Sequence, residues 1–183
     1  IMNTKITPDL IDSLQFDELI IATGAKARQL SNIKGLEKVK VINAKDALLH
    51  PEIVGEKVTI IGGGLTGIEM AYDMVLSGKQ VEVVEMKDSI LGMDVVCAAN
   101  GQMLQQIIKY YHIPVHLSAS IDHFEEGKVY YTQDNTQHVI ECDTIISSIG
   151  YISDNQLYDT LKDKYKDHIH LIGDSLQVSN LLG

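Results

Sequence analysis

The chain has 183 residues, of which 45% are hydrophobic and 22% charged, enough for one domain, or for one domain with pieces of another. Its 25 Asp and Glu outnumber 15 Lys and Arg, and the formal net charge is −10. This excess of negative charge, which no basic stripe interrupts, argues against nucleic acid as a partner. No apolar run reaches the roughly 18 residues of a membrane helix, so no membrane partner is expected.

The cysteines and the first residue bear on the cellular compartment and on whether this sequence is a segment of a longer protein. Cys97 and Cys142 are far apart and form no CxxC pair, which argues against a disulfide scaffold or a zinc site and predicts a cytoplasmic protein. Both thiols are expected to be small buried apolar groups. His112 and His116 lie on either side of Pro114, so no shared metal is expected. The chain begins at Ile1 rather than Met, so we expect a segment of a longer protein.

The N-terminal quarter predicts short elements separated by turns. Thr7 is a suitable helix N-cap before Pro8, and Asn43 is a suitable cap for a second helix. The predicted strands are 2–6, 18–22 and 39–42, the predicted helices are 8–14 and 44–50, and residues 25–38 are predicted to be connection.

Residues 58–85 predict a β-α-β unit. The buried strand 58–61 runs directly into a glycine-rich turn, GGGLTG, at 62–67. A helix follows, with an apolar stripe at Ile68, Ala71, Tyr72, Val75 and Leu76. The next strand is 81–85, and parallel strands need such a helical crossover.

The remainder predicts a helix, an antiparallel meander and a closing β-strand region. Asp134-Asn135 supplies a turn between two strands of the meander. The predicted helices are 102–111 and 155–161, and the predicted strands are 113–117, 120–124, 128–132, 138–141, 144–149 and 168–172. His168 and His170 are expected on one solvent-facing side of the last strand.

The glycine turn has the pattern G-x-G-x-x-G between a strand and a helix, the context in which this motif binds dinucleotides. Gly62 allows the tight turn, Gly64 has no Cβ to block a diphosphate, and Gly67 lets helix and strand pack closely. The diphosphate would lie on free backbone N–H groups at the helix start, those of Leu65 and Thr66 included. A glycine turn that serves packing alone is the alternative.

An acidic residue is expected at the end of the second strand, where it accepts hydrogen bonds from the ribose hydroxyls. Glu85 is at that position, 18 residues after Gly67. A carboxylate there repels a 2′-phosphate, which favours NAD(H) over NADP(H), and the nearby Lys87 acts in the opposite sense.

Two further motifs flank this unit. Residues 16–24 read FDELIIATG and end in Thr23-Gly24, and residues 170–174 read HLIGD and end in Gly173-Asp174. With them the chain resembles the flavoprotein reductases that have two dinucleotide-binding domains, in which an NAD(P)H domain interrupts an FAD domain. The resemblance implies that Thr23-Gly24 marks the exit from the FAD domain, that Gly173-Asp174 marks the return and holds the FAD, and that Gly150 ends the NAD(P)H domain, although residues 150–155 depart from the usual G-R-x-P-N.

The resemblance implies an α/β fold: a Rossmann-like three-layer nucleotide-binding domain with a parallel sheet and an antiparallel β-meander, plus partial FAD-domain segments. The implied boundaries are a partial FAD-domain segment at 1–30, the NAD(H)-binding domain at 31–150 and a returning FAD-domain segment at 151–183. The opening residues 3–8 and the segment 62–71 look most like the C-terminal half of 2,4-dienoyl-CoA reductase and related NADH:flavin oxidoreductases. Those proteins add an old yellow enzyme-like FMN barrel and an iron–sulfur cluster, and finding both upstream of this sequence would support the assignment to this group.

The activity that the resemblance implies is hydride transfer from NADH to FAD, with electrons passing on to an acceptor such as an enoyl thioester. Its partners are then NADH, a flavin and the remainder of its own polypeptide. Glu69 often lies near the nicotinamide in such proteins, and an equally good interpretation is an acid in the first turn of the helix that complements the helix dipole. No catalytic acid or base is expected, because the two cofactors carry out the hydride transfer.

Other functions stay open at this point. A redox cysteine pair would favour a disulfide or ferredoxin reductase of the same superfamily, and this sequence contains no such pair. A single-domain dehydrogenase would need a catalytic pair such as Tyr-x-x-x-Lys after the nucleotide unit. A non-catalytic module that senses the nucleotide is the remaining alternative, and the isolated segment is expected to be inactive.

Overall fold

The structure is a computed structural model and describes residues 2–92 and 97–179. The chain divides into two compact units, one comprising Ile1–Lys26 with Tyr151–Gly183 and the other comprising Ala27–Gly150.

A five-stranded parallel sheet forms the centre of the Ala27–Gly150 unit. In chain order its strands are β3 (Val41–Asn43), β4 (Lys57–Ile61), β5 (Gln80–Val84), β6 (Val115–His116) and β10 (Thr144–Ser147), and in space the order is β3-β10-β4-β5-β6. The register pairs Ile146 with Ile60 and Ile60 with Val83, so alternate residues of neighbouring strands share a face. Both faces are covered, which explains why these strands are apolar on both sides.

Helices cover one face of this sheet. They are α2 (Ala44–Leu49), α3 (Leu65–Leu76) and α4 (Ala98–Tyr110). Their buried side chains form one cluster with the sheet residues that face them. Among these sheet residues, Ile60, Val83 and Ile146 have no exposed surface. Burial of this kind contributes roughly 25 cal/mol per Å² of apolar surface and supplies the main stabilisation of the layer.

An antiparallel meander covers the other face. Its strands are β7 (Ala119–Glu125), β8 (Lys128–Gln133) and β9 (Thr136–Glu141), in the order β7-β8-β9. Asp134 and Asn135 form the β8–β9 turn with φ of 50° and 59°, a conformation that these two residue types tolerate better than most. Phe124, Val129 and Ile140 pack with Ile61 and Ile145 of the parallel sheet in a second core cluster. Helices, parallel sheet and meander are therefore the three layers of an α/β Rossmann-like fold, as predicted.

The other unit is built around two parallel strands, β1 (Leu19–Ile21) and β12 (Ile169–Leu171). Helices α1 (Pro8–Asp12) and α5 (Gln156–Tyr165) accompany them, and Ile11, Ile21, Leu161 and Ile169 form the buried cluster. A second pair consists of β2 (Ala25–Ala27) and β11 (Tyr151–Ser153). The remaining short elements are 3-10 helices at Leu36–Lys38, Pro51–Ile53, Lys166–His168 and Gly173–Ser175.

Both predicted helix caps are confirmed. The Thr7 side chain accepts a hydrogen bond from the Leu10 N–H, and the Asn43 side chain accepts one from the Asp46 N–H. Three predictions about the elements are wrong. Residues 2–6 form no strand and are exposed, and β2 and a 3-10 helix lie within the predicted connection 25–38. Leu76 of the predicted α3 stripe is exposed, because the buried face of α3 consists of Ile68 and Ala71 together with Met70 and Met74.

Within the described residues, no helix has the length and apolarity required to cross a membrane.

Candidate dinucleotide-binding site

The turn that follows β4 contains two positions, 62 and 67, at which the surrounding backbone leaves no room for a side chain. Gly62 has a φ of +108°, and a Cβ placed on it would lie 2.3 Å from the Ser148 carbonyl oxygen. A Cβ on Gly67 would lie 1.9 Å from the Gly62 carbonyl oxygen, because the first turn of α3 packs directly against the end of β4. Any side chain at either position would force the backbone apart.

Gly64 is different, because nothing in the protein requires it to be glycine. A Cβ on Gly64 would have no atom within 4 Å, and the residue has a φ of −68°, which any L-residue adopts. Gly64 is also exposed. The glycine therefore leaves open space in front of the turn, at the point where a bulky group could approach the backbone.

The backbone next to this open space carries unused hydrogen-bond donors. The first α-helical bond of α3 joins the Ile68 N–H to the Gly64 carbonyl oxygen at 3.0 Å. The amides of Leu65, Thr66 and Gly67 therefore precede the hydrogen-bond ladder of the helix. They lie at its positive end, where an anion is stabilised by about 0.3–1 kcal/mol in exposed sites.

Glu85 directly follows β5 and lies beside the turn. It is only 9% exposed, and its two carboxylate oxygens accept backbone N–H groups: Oε2 that of Gly63 at 2.5 Å and Oε1 that of Lys87 at 2.7 Å. Each carboxylate oxygen has two lone pairs, so capacity for further donors remains. The Lys87 side chain is exposed.

Leu91 is a residue of this site that the sequence analysis missed. Its N–H donates to the Gly63 carbonyl oxygen at 2.8 Å, and it adopts a φ of +74° while its side chain is buried in the helix-side cluster. A left-handed leucine costs roughly 1–3 kcal/mol in backbone strain, and no local sequence signal predicts it.

Two further predicted residues of this unit lie outside these contacts. Glu69 begins the second turn of α3 and is exposed, and the first turn of the helix contains no acidic residue. The interpretation of Glu69 as an acid of the first helical turn is therefore wrong. Gly150 is exposed with a φ of +86°, and its carbonyl oxygen accepts the Arg28 N–H at 2.9 Å.

The predicted flavin-binding motifs lie in the other unit. The Thr23 hydroxyl donates to the Asp154 carbonyl oxygen, and Gly24 has a φ of +76°. Gly173 has a φ of +62° and begins a 3-10 helix, in which Asp174 Oδ1 accepts the Ser179 N–H at 3.3 Å. The two glycines thus occupy conformations that favour glycine.

Ser175 was also missed. It is fully buried, and its hydroxyl lies 2.6 Å from the Ile172 carbonyl oxygen and 3.3 Å from that of Ile21. It therefore links the ends of β1 and β12 behind the Gly173-Asp174 motif. A serine one residue after the motif is the local signal that could have indicated this.

The cysteine prediction is wrong for one of the two residues. Cys142 is buried, and burial raises the pKa of its thiol, whereas Cys97 is exposed. No cluster of three or more His, Cys, Asp or Glu that could hold a metal occurs in residues 2–92 and 97–179.

These features define an α/β dinucleotide-binding protein: a glycine turn with open space in front of it, free amides at the start of the helix, and an acid at the end of the next strand. The sequence profile of the pyridine nucleotide-disulphide oxidoreductase family matches residues 5–179, and the chain belongs to this family. The family and its members use NAD(H) and FAD, the two cofactors expected from the sequence.

Individual relatives agree with this assignment. The chain is 37% identical over 183 residues to a cinnamate reductase of Clostridium sporogenes, covering 99% of this chain and 27% of that protein. It is 30% identical over 179 residues to an NADH oxidase of Thermoanaerobacter brockii, covering 95% and 27%. The structure of a 2-naphthoyl-CoA reductase superposes with a TM-score of 0.87 at 27% identity, covering 98% and 27%. The chain thus spans about a quarter of each of these relatives.

Proposed function

We propose that this chain is the NADH-binding part of a flavin-dependent oxidoreductase that passes hydride from NADH to FAD. Residues 31–150 would form the NAD(H)-binding domain, and 1–30 with 151–183 would belong to an FAD domain. The observation that supports the proposal most directly is the open space at Gly64, because a glycine that the fold does not require is explained by a ligand that approaches the backbone there.

A role is proposed for each part of the turn. The diphosphate would accept hydrogen bonds from the amides of Leu65, Thr66 and Gly67 at the positive end of α3. The ribose hydroxyls would donate to the Glu85 carboxylate, which is already oriented by two backbone amides. Glu69 and Lys87 are exposed and remain candidates for contacts at the two ends of the dinucleotide.

The flavin residues also fit the proposal. Thr23, Gly24, Gly173 and Asp174 would contact the FAD, whose chemistry is to accept a hydride and pass the electrons on. The Asp174 carboxylate is in an exposed part of its unit and can accept hydrogen bonds from hydroxyl groups. In such a protein, this chain binds and orients the two cofactors, and no side chain needs to move a proton.

The final acceptor is proposed to be a conjugated carbonyl compound such as an enoyl thioester. The relatives named cinnamate reductase and 2-naphthoyl-CoA reductase support an acceptor of this kind. The assignment to the 2,4-dienoyl-CoA reductase group and the cytoplasmic location both remain predictions from the sequence.

Substitutions of Gly64 separate ligand binding from packing. Gly64→Ala and Gly64→Val each add a Cβ that meets no atom within 4 Å, so both variants should fold. The melting temperature should change little, since the roughly 0.4–1 kcal/mol gained by losing a glycine is offset by the loss of a preferred residue at the N-cap of α3. NADH affinity, measured by calorimetry, should fall by at least about tenfold for Gly64→Val, since the side chain displaces the diphosphate.

Gly67→Ala is the matched contrast, because its Cβ would meet the Gly62 carbonyl oxygen. This variant should lower the melting temperature itself, as expected for a position at which packing requires glycine. A folded Gly64→Val chain with unchanged NADH affinity would refute the proposed site.

The choice of nucleotide tests the role of Glu85. NADH should bind more tightly than NADPH, because the Glu85 carboxylate accepts from a ribose hydroxyl and repels a 2′-phosphate. The comparison is a pair of titrations on the same chain at equal ionic strength. Equal affinities for the two nucleotides would remove this role from Glu85.

A further inference from the structure

Both backbone hydrogen-bonding groups of Gly63 have partners. Its N–H donates to the Glu85 carboxylate, and its carbonyl oxygen accepts the N–H of Leu91. Glu85 also accepts the N–H of Lys87, and the Lys87 carbonyl oxygen in turn accepts the Ser118 N–H at 2.8 Å. One buried carboxylate therefore joins the glycine turn to the segment that leaves β5.

These contacts are close to the proposed diphosphate position. Gly63 precedes Gly64, and a Cβ on Gly63 would lie 3.0 Å from the Cβ of Glu85, so the two residues are in tight contact. The orientation of the Gly63–Gly64 segment determines where the following amides, those of Leu65 and Thr66, point. A change at Glu85 is therefore transmitted to these donors through two covalently linked residues.

We propose that Glu85 is a positioning residue for the glycine turn, in addition to accepting from the ribose. By accepting the N–H groups of Gly63 and Lys87, its carboxylate fixes the conformation in which the amides of residues 64–67 face a diphosphate. The inference rests on the proposed function, because it assigns a second task to a residue of the same site.

Glu85→Gln is a sharp probe of this role. The carboxamide offers one acceptor oxygen and one NH₂ group, and the NH₂ group cannot accept a backbone N–H. One of the two amides of Gly63 and Lys87 therefore loses its partner beside a residue that is only 9% exposed. The turn should relax away from the geometry that presents its donors.

The ligand that separates the two roles is an NADH analogue whose adenosine ribose lacks both hydroxyls. This 2′,3′-dideoxy analogue keeps the diphosphate and has nothing for Glu85 to bind directly. If Glu85 acted on the ribose alone, Glu85→Gln would leave the affinity for the analogue unchanged, or would raise it, because a negative charge near the diphosphate is removed. If Glu85 positions the turn, the affinity for the analogue falls, so only the positioning role predicts a weaker complex with this ligand.

The experiment is a thermodynamic cycle measured by calorimetry on the 183-residue chain, in which one step is the substitution Glu85→Gln and the other is the change from NADH to the dideoxy analogue. We expect Glu85→Gln to weaken the analogue by about fivefold to tenfold, and NADH by more. Asp88→Asn is the matched control: it removes one charge three residues further on, where the exposed side chain contacts the Ser89 hydroxyl, and it should leave the analogue within about twofold of wild type.

Two further arrangements keep the test decisive. Circular dichroism tests whether Glu85→Gln is folded. If this variant does not fold, Glu85→Asp takes its place, because aspartate keeps the charge but has a shorter reach. Glu85→Asp should also bind the analogue more weakly than wild type. An analogue that binds wild type and the Glu85 variant equally well, while NADH is weakened, overturns the positioning role and leaves the proposed function intact. A wild-type chain that binds neither ligand overturns the proposed function itself.

Discussion

Tyr131 shows at the residue scale how the meander is joined to the parallel sheet. Its hydroxyl lies 2.9 Å from His116 Nδ1, and His116 Nε2 lies 2.8 Å from Glu82 Oε2. A neutral imidazole can donate from Nε2 to the carboxylate and accept at Nδ1 from the phenol. Tyr131 is 4% exposed, and burial, followed by the negative charge of Glu82, raises the pKa of its hydroxyl, which therefore stays protonated at neutral pH.

Tyr131→Phe should destabilise the chain. The substitution keeps the ring and leaves His116 Nδ1 without its phenol, so we expect a loss of about 1 kcal/mol in unfolding free energy. For a chain of this size, that corresponds to a decrease of about 2–4 °C in melting temperature by differential scanning calorimetry.

Tyr130→Phe is the matched control for this change. Tyr130 is the preceding residue of β8, and its hydroxyl donates to the exposed carboxylate of Glu125 at 3.0 Å. Loss of an exposed contact should change the unfolding free energy by less than about 0.5 kcal/mol. Equal effects of the two substitutions would show that the contact between Tyr131 and His116 contributes nothing of its own.

At the scale of elements, local signals predicted what local physics determines. The order of elements from β4 to β5 was predicted, although the buried face of α3 was wrong at Leu76, because a buried strand, a glycine turn and an amphipathic helix each leave a pattern in the sequence. The β8–β9 turn at Asp134 and Asn135 was predicted for the same reason. The glycine motif also identified Gly62, Gly64 and Gly67 as having different tasks, which the Cβ contacts of Gly62 and Gly67 and the open space at Gly64 support.

The missed elements depend on partners that are distant in sequence. β2 was predicted to be connection, and it is a strand because it pairs with β11, more than a hundred residues later. His116 was considered only as a possible metal ligand, although its partners Glu82 and Tyr131 come from two other strands. The contact of Glu85 with Gly63 likewise arises only once β4 and β5 are adjacent. Such pairings have no short-range signature, so sequence patterns alone did not identify them.

At the scale of the whole molecule, the two units differ in how well they bury apolar surface. The Ala27–Gly150 unit has two large core clusters, one on each face of its parallel sheet. Among the described residues, the other unit has one cluster of four buried hydrophobic residues, and Ile20 of β1 and Ile172 after β12 are 61% and 46% exposed.

The number of glycine turns in the sequence leads to a prediction about the flavin. The chain contains one G-x-G-x-x-G turn, at 62–67, and we assign that turn to NADH, so the FAD diphosphate has no equivalent glycine turn in these 183 residues. Thr23-Gly24 and Gly173-Asp174 would contribute single contacts, which are too few to offset the entropic cost of fixing a large cofactor, about 4–15 kcal/mol. The purified 183-residue chain should therefore bind NADH but retain no stoichiometric FAD, as measured by its flavin absorption spectrum after gel filtration with added FAD. The full-length protein, prepared in the same way, is the control and should be yellow, whereas one equivalent of flavin on the isolated chain would show that residues 1–30 and 151–183 suffice to hold the cofactor.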